Sequence, residues 1–157
     1  MILYIGSDHA GYSLKEYLKN HLQQHGYEIL DVGVHSETPA DYPDIAHTLT
    51  AQLVQETRPA LGILICGTGI GMCIAANKRP GIRAANASEP VSAALAREHN
   101  NANILCLGAR VVGPELARAT VEAFLRTGFS PEERHHRRVQ KLELIGGDLK
   151  SHTEPLK

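Results

Sequence analysis

The chain has 157 residues, 43% hydrophobic and 21% charged, with 16 Lys and Arg against 17 Asp and Glu for a net charge of −1; that suits one domain with a core of its own. The balanced charge excludes a general nucleic-acid binder and a polybasic membrane-surface protein, and the apolar content excludes wholesale disorder. Trp is absent and aromatics are 4%, so the core must come from Val, Ile, Leu and Ala, the palette of buried parallel sheets.

Ile2–Gly6 reads as a short apolar strand. Met1–Ile5 is too short for a secretory h-region and no stretch approaches the ~20 apolar residues of a membrane span, so neither export nor a membrane partner is expected. Tyr12 to His25 carries Leu14, Tyr17, Leu18 and Leu22 at helical spacing, and Gly26 stops it. Glu28–Gly33 is a second strand, His35–Pro43 a polar loop, and residues 44–57 a helix with Ile45, Leu49, Leu53 and Val54 on one face. Leu61–Ile65 is the most hydrophobic strand; it runs through Cys66-Gly67-Thr68-Gly69-Ile70-Gly71 into a helix ending near Lys78. Ile82–Ala87 follows as a strand, Glu89-Pro90 opens a helix to about His99, and Ile104–Leu107 is a fifth strand. Gly113-Pro114 opens a helix to Arg126. Ser130 and Glu133 form a capping box for a last helix to about Leu144.

Five β–α alternations imply an α/β fold: a doubly wound, five-stranded parallel sheet, a Rossmann-like or flavodoxin-like three-layer sandwich, with an extra C-terminal helix. One domain is expected over residues 1–145, with a polar tail over 146–157. Ligands of such sheets bind beyond the carboxyl ends of the strands. That rule selects Ser7–Gly11, Cys66–Gly71 and Gly108–Arg110.

The 66–71 loop is the strongest local signal. Its three glycines let backbone N–H groups approach an anion at a helix start. The spacing is neither a Walker A loop nor a dinucleotide fingerprint, so an enediolate oxygen suits it as well as a phosphate. A thiol at a helix N-terminus leans toward thiolate, which would make Cys66 a nucleophile or a general base; the bland alternative is a small buried hydrophobe. Cys73 and Cys106 read as core packing. Three cysteines without CxxC argue against a disulfide framework or a Cys-rich zinc site and for a reducing cytoplasm. Asp8-His9 caps a turn or enters the site. His99-Asn100-Asn101 is either a helix C-cap or holds an acid–base histidine. Arg134 and Arg138 share one helix face, as a phosphate fork or a solvated surface. Adjacent His135 and His136 point different ways on a helix, against a metal site. Asn86-Ala87-Ser88 matches a glycosylation sequon by chance, and Asn86 sits at the site edge without a settled role.

Taken together, Ser-Asp-His-Ala-Gly (7–11), Asp-Tyr-Pro (41–43), Cys-Gly-Thr-Gly-Ile-Gly (66–71), Ala-Ala-Asn-Lys (75–78) and Arg-Glu-His-Asn-Asn-Ala-Asn (97–103) resemble the type B ribose-5-phosphate isomerases. That wider family also holds galactose-6-phosphate and allose-6-phosphate isomerases. The resemblance implies aldose–ketose isomerisation of a sugar phosphate through a cis-enediolate, without metal or organic cofactor. It implies Cys66 as the base, Thr68 near the reacting carbons, and Gly67, Gly69, Ile70 and Gly71 as the loop holding the enediolate. His99 is implied as the ring-opening group, with Asp8, His9, Asn100, Arg110, Arg134 and Arg138 as substrate and phosphate contacts. It also implies a homodimer or dimer of dimers with sites at the subunit interface. Ribose 5-phosphate is the expected substrate. The alternatives are a hexose 6-phosphate, a non-catalytic nucleotide or flavin binder, and a hydrolase pairing Cys66 with His99.

Overall fold

The computed structural model describes residues 1–147. Its elements are β1 (Ile2–Ser7), a 3-10 turn (His9–Gly11), α1 (Tyr12–Gln24), β2 (Glu28–Asp31), α2 (Tyr42–Leu53), β3 (Ala60–Cys66), α3 (Ile70–Ala76), β4 (Ala84–Asn86), α4 (Pro90–Asn100), β5 (Ile104–Gly108), α5 (Pro114–Arg126) and α6 (Glu133–Gly147). Of the expected 146–157 tail, Gly146 and Gly147 belong to α6, and residues 148–157 lie outside the described residues.

The strands pair in parallel in the order β2-β1-β3-β5-β4. Doubly wound folds of the flavodoxin type run 2-1-3-4-5; here the last two strands are exchanged and β4 takes the edge. Successive side chains of a strand face opposite layers. Leu3, Ile5, Leu61, Ile63, Ile65, Leu105 and Leu107 therefore meet Leu18 and Leu22 of α1, Ala93 of α4 and Val121 and Phe124 of α5. Ile2, Tyr4, Leu64, Cys66, Ile104 and Cys106 meet Ala46 and Leu49 of α2 and Met72 and Ala76 of α3.

Local signals explain most boundaries. Gly26 has φ +81°, the left-handed conformation that ends α1 after His25. Glu89 is itself the N-cap of α4, its carboxylate accepting from the amides of Val91 (2.6 Å) and Ser92 (2.7 Å). Helix α2 starts two residues before the expected position 44, with Asp41 at its N-cap and Pro43 in its first turn, and ends at Leu53 rather than 57. The expected capping box between Ser130 and Glu133 does not form at α6. Ser130 Oγ accepts from the Glu132 amide (3.2 Å), but the Ser130 amide donates to the Glu98 carbonyl (2.9 Å) instead of Glu133. That bond ties the start of α6 to the end of α4. The free edge of β4 is sealed by Asn77, whose Oδ1 accepts from the Ala84 amide and whose Nδ2 donates to the Ala84 carbonyl, both at 2.9 Å. One side chain thus does what a neighbouring strand would do.

Lys15 is fully buried and binds Asp31 (2.5 Å) and Glu16 (2.6 Å); Lys19 completes the square on the same two carboxylates. Burial pushes the Asp31 carboxyl up, but hydrogen bonds from Lys15 and Lys19 outweigh it and hold the group below its ordinary value; Glu16 is lowered in the same way. A carboxyl depressed in the folded state stabilises the fold above its unfolded value and loses that contribution as pH falls through the folded one. Asp31→Asn is expected to cost about 3 kcal/mol at neutral pH, because it leaves a buried ammonium half-paired. Its Tm deficit against the parent chain is expected to shrink below about pH 4, which thermal melts across pH measure.

Candidate active site

The carboxyl ends of β1, β3 and β5 gather most of the expected site residues. Asp8 is buried, and its Oδ1 accepts from the Gly11 amide at 3.1 Å, capping the 3-10 turn. His9 is half-buried, and its Nδ1 accepts from the Ala40 amide at 3.3 Å, which tethers the 35–41 loop over the site. Beyond β3 the chain turns through Gly67, Thr68 and Gly69 into α3. The Gly69 amide donates to Cys66 Sγ at 3.1 Å and the Ile70 amide to Thr68 Oγ1 at 3.3 Å.

The Cys66 sulfur is less open than expected of a thiol at the mouth of a glycine loop: Cys66 is only 5% exposed. The turn folds back over the sulfur, and the side chain joins Leu64, Met72 and Cys106 in the core. A cavity of about 220 Å³ lies on the far side of the turn, lined by Thr68, Ile70, Asn86, Ala87, Ser88, Gly108 and Val111 but not by Cys66 itself. Gly108 stands directly across the sheet from Cys66.

The turn depends on glycine. Gly69 has φ +78°, and a Cβ there would meet Asn86 Oδ1 at 2.4 Å and the Leu107 carbonyl carbon at 2.9 Å. Both the backbone conformation and the contact with β5 are therefore closed to a side chain. Gly69→Ala is expected to destabilise the fold by at least ~1–2 kcal/mol and to lower activity, checked by melts and initial rates on one preparation. A Cβ on Gly108 would meet the Thr68 backbone at 2.7 Å, and one on Gly71 the Tyr42 ring at 2.8 Å.

Three neighbours complete this end. Arg110 lies over the loop, with Nη1 3.4 Å from the position of a Gly67 Cβ, and its amide donates to the Gly67 carbonyl at 3.0 Å. Asn86, undecided from sequence, packs on Gly69 and donates from Nδ2 to the Thr68 carbonyl at 3.5 Å. Tyr42 carried no expected role, although it stood within the quoted Asp-Tyr-Pro motif. The signal for it was an aromatic at a helix start facing a loop of glycines.

His99, Asn100, Arg134 and Arg138 are elsewhere. Helix α4 runs back along the sheet, so its last turn lies at the amino end of β4 and β5, where the Asn103 amide bonds the Arg83 carbonyl. Cys66 is at the other end, with its carbonyl accepting from the Ala109 amide. The length of β5, roughly 15 Å, separates the two ends. A nucleophile pair of Cys66 and His99 within one chain, one of the expected alternatives, is therefore excluded.

The His99 ring lies flat on that of His135, with centroids 4.4 Å apart and planes 6° from parallel. His135 is buried; burial first, then the neighbouring His99 and Arg134, hold its imidazole below the ordinary value. Arg134 and Arg138 are exposed on α6 around this stack, with Arg134 Nε 2.7 Å from Glu132. His136 turns away onto Phe129. Among the described residues no group of three or more His, Cys, Asp or Glu is placed to hold a metal ion, and no helix is long and apolar enough to cross a membrane.

Cys73, in the first turns of α3, is partly buried and packs against the core as expected; its thiol is lowered to about 7, chiefly by the neighbouring Cys106.

The sequence profile of the Ribose/Galactose Isomerase family matches residues 3–142. Ribose-5-phosphate isomerase B of Escherichia coli is 46% identical, covering 89% of this chain and 93% of its own. D-erythrulose-4-phosphate isomerase of Pectobacterium atrosepticum is 47% identical, covering 80% and 82%. The solved structure of Clostridium thermocellum ribose-5-phosphate isomerase B matches with a TM-score of 0.89 at 46% identity, covering 92% of this chain and 97% of that one.

Proposed function

Because the chain belongs to the ribose/galactose isomerase family, we propose that it interconverts D-ribose 5-phosphate and D-ribulose 5-phosphate through a cis-enediolate. Cys66 takes the proton from the carbon alpha to the carbonyl and returns it to the neighbouring carbon. Backbone amides of the 67–71 turn stabilise the enediolate oxygens; preorganised donors of this kind are worth ~2.7–4 kcal/mol each on removal. Thr68 stands beside the reacting carbons, and Asp8, His9 and Arg110 hold the sugar at the same end. The observation that carries this reading is the Cys66 sulfur fixed by the Gly69 amide under a glycine turn at the carboxyl end of the central strand.

Isomerising the cyclic aldose also requires ring opening, which we assign to His99, with Asn100 on the sugar and Arg134 and Arg138 on the phosphate. These groups sit at the opposite end of the sheet, so a second copy of the chain must bring them to Cys66. A two-fold dimer does so twice, each protomer giving its Cys66 end to one site and its His99 end to the other. Ile70 and Ile74, one turn apart on α3 and more than half exposed beside the glycine turn, offer apolar surface for that contact. We place the enzyme in the cytoplasm, where its three free thiols stay reduced.

The relative that acts on a four-carbon substrate makes chain length the open variable of the site. Comparing kcat/KM on ribose 5-phosphate, D-erythrulose 4-phosphate and allose 6-phosphate tests the assignment. Ribose 5-phosphate is expected to give the highest value, and a clear preference for either other sugar overturns it.

A further inference from the structure

Helix α6 docks on the rest of the chain through a histidine. Of residues 133–145, His135 alone is buried and Val139 half-buried; the others are exposed. A surface helix ordinarily docks by a stripe of aliphatic side chains, and this one lays an imidazole on the ring of His99. Two further ties hold the pair in place. The Ser130 amide donates to the carbonyl of Glu98, the residue before His99, at 2.9 Å. Arg83 donates from Nε to the Asn101 carbonyl at 2.9 Å and pairs through Nη1 with Glu143, farther along α6. The hydrogen-bonding atoms of an imidazole lie in its plane, so two rings stacked 6° from parallel exchange no proton directly. His135 Nε2 is buried without a partner among the described residues, which a residue kept for packing alone has no need to tolerate. What His135 gives its neighbour is a flat face, and His99, half-buried, keeps part of its ring open.

We propose that His135 is a positioning residue for ring opening: its face fixes the plane of the His99 imidazole, and with it the direction in which the His99 nitrogens meet the sugar. This rests on the assignment of ring opening to His99. In that step the C1–O4 bond of the furanose breaks, the C1 hydroxyl gives up its proton and O4 takes one, leaving the open-chain aldehyde. His99 must meet those oxygens edge-on. A ring free to turn about its side-chain torsions is seldom so aimed, and a misplacement of about 1 Å can cost about 10²-fold in rate. Arg134 and Arg138 flank His135 on the same helix, so the stack also sets where the proposed phosphate contacts stand relative to His99.

The test separates the ring step from the proton transfer. Ribulose 5-phosphate has its fifth oxygen esterified and cannot close a furanose ring. Exchange of its C1 hydrogen with deuterium oxide therefore needs Cys66 but no ring chemistry. Conversion of ribose 5-phosphate and C1 exchange at saturating ribulose 5-phosphate are measured on the intact enzyme. His135→Ala is expected to lower conversion about 10²-fold and to keep most of the exchange, and His99→Asn to show the same split. His135→Phe, which retains a flat ring, is expected to recover most of the conversion. Conversion near the parent's in His135→Ala, with the split present in His99→Asn, overturns the positioning role and leaves the assignment of His99 standing. So does a phenylalanine variant no better than alanine, or exchange that falls as far as conversion in both His135 variants. Exchange that falls with conversion in His99→Asn overturns the assignment of His99 and the positioning role with it.

Discussion

Replacing Cys66 with alanine lowers kcat for ribose 5-phosphate by about 10²–10⁴-fold, the contribution of a positioned general base, and leaves KM little changed. The hydrogen to be moved is bound to carbon and weakly acidic, so the sulfur acts in the transition state and adds little to ground-state binding. A loss in kcat with KM preserved is the kinetic form of that role. The structure sets the control. Cys66 is a core residue as well as the proposed base, since it packs with Leu64, Met72 and Cys106 and receives the Gly69 amide. Alanine removes both functions. Cys66→Ser keeps an acceptor for the Gly69 amide and most of the volume but offers a far weaker base. Serine is therefore expected to recover the thermal stability lost by alanine without recovering the rate. A kcat near that of the parent chain in Cys66→Ser moves the base to another residue.

Much of this site could be read before any coordinates, and what could not has identifiable physical reasons. The period-two alternation of Leu61, Ile63 and Ile65 against Leu64 and Cys66 directs side chains to two layers whatever the strand order. The doubly wound sheet and the Cys66 turn were legible for that reason. Gly26 and Gly69 were legible because a positive φ selects glycine locally. Strand order was not, since exchanging β4 and β5 changes no local spacing. The burial of Cys66, one of two readings open from the sequence, was not decided there because it depends on where the Gly69 amide points once the turn closes. The distance between Cys66 and His99, by contrast, was available in principle. A helix following a parallel strand must return to the amino end before the next strand begins. His99, five residues before Ile104, could never have reached the carboxyl end of its own sheet.

That separation has a consequence with an unusually large readout. Cys66→Ala and His99→Asn are each expected to be nearly inactive from the ribose 5-phosphate side, where the ring must open before the proton moves. Co-expressed under two tags and purified as the mixed assembly, they are expected to regain activity that neither has alone. In a mixed dimer, one site combines the intact Cys66 of one protomer with the intact His99 of the other, while the second site carries both lesions. Random pairing of equal amounts restores about a quarter of the parent activity, and purified heterodimer about half. If both residues served a site within one chain, each mixed dimer would hold two broken sites and no activity would return. The doubly substituted chain paired with the parent chain sharpens the contrast: its two sites each lose one group, so that heterodimer is expected to be nearly silent. An active heterodimer of that composition, or a silent one from the single variants, overturns the shared site while leaving the role of Cys66 to its own test.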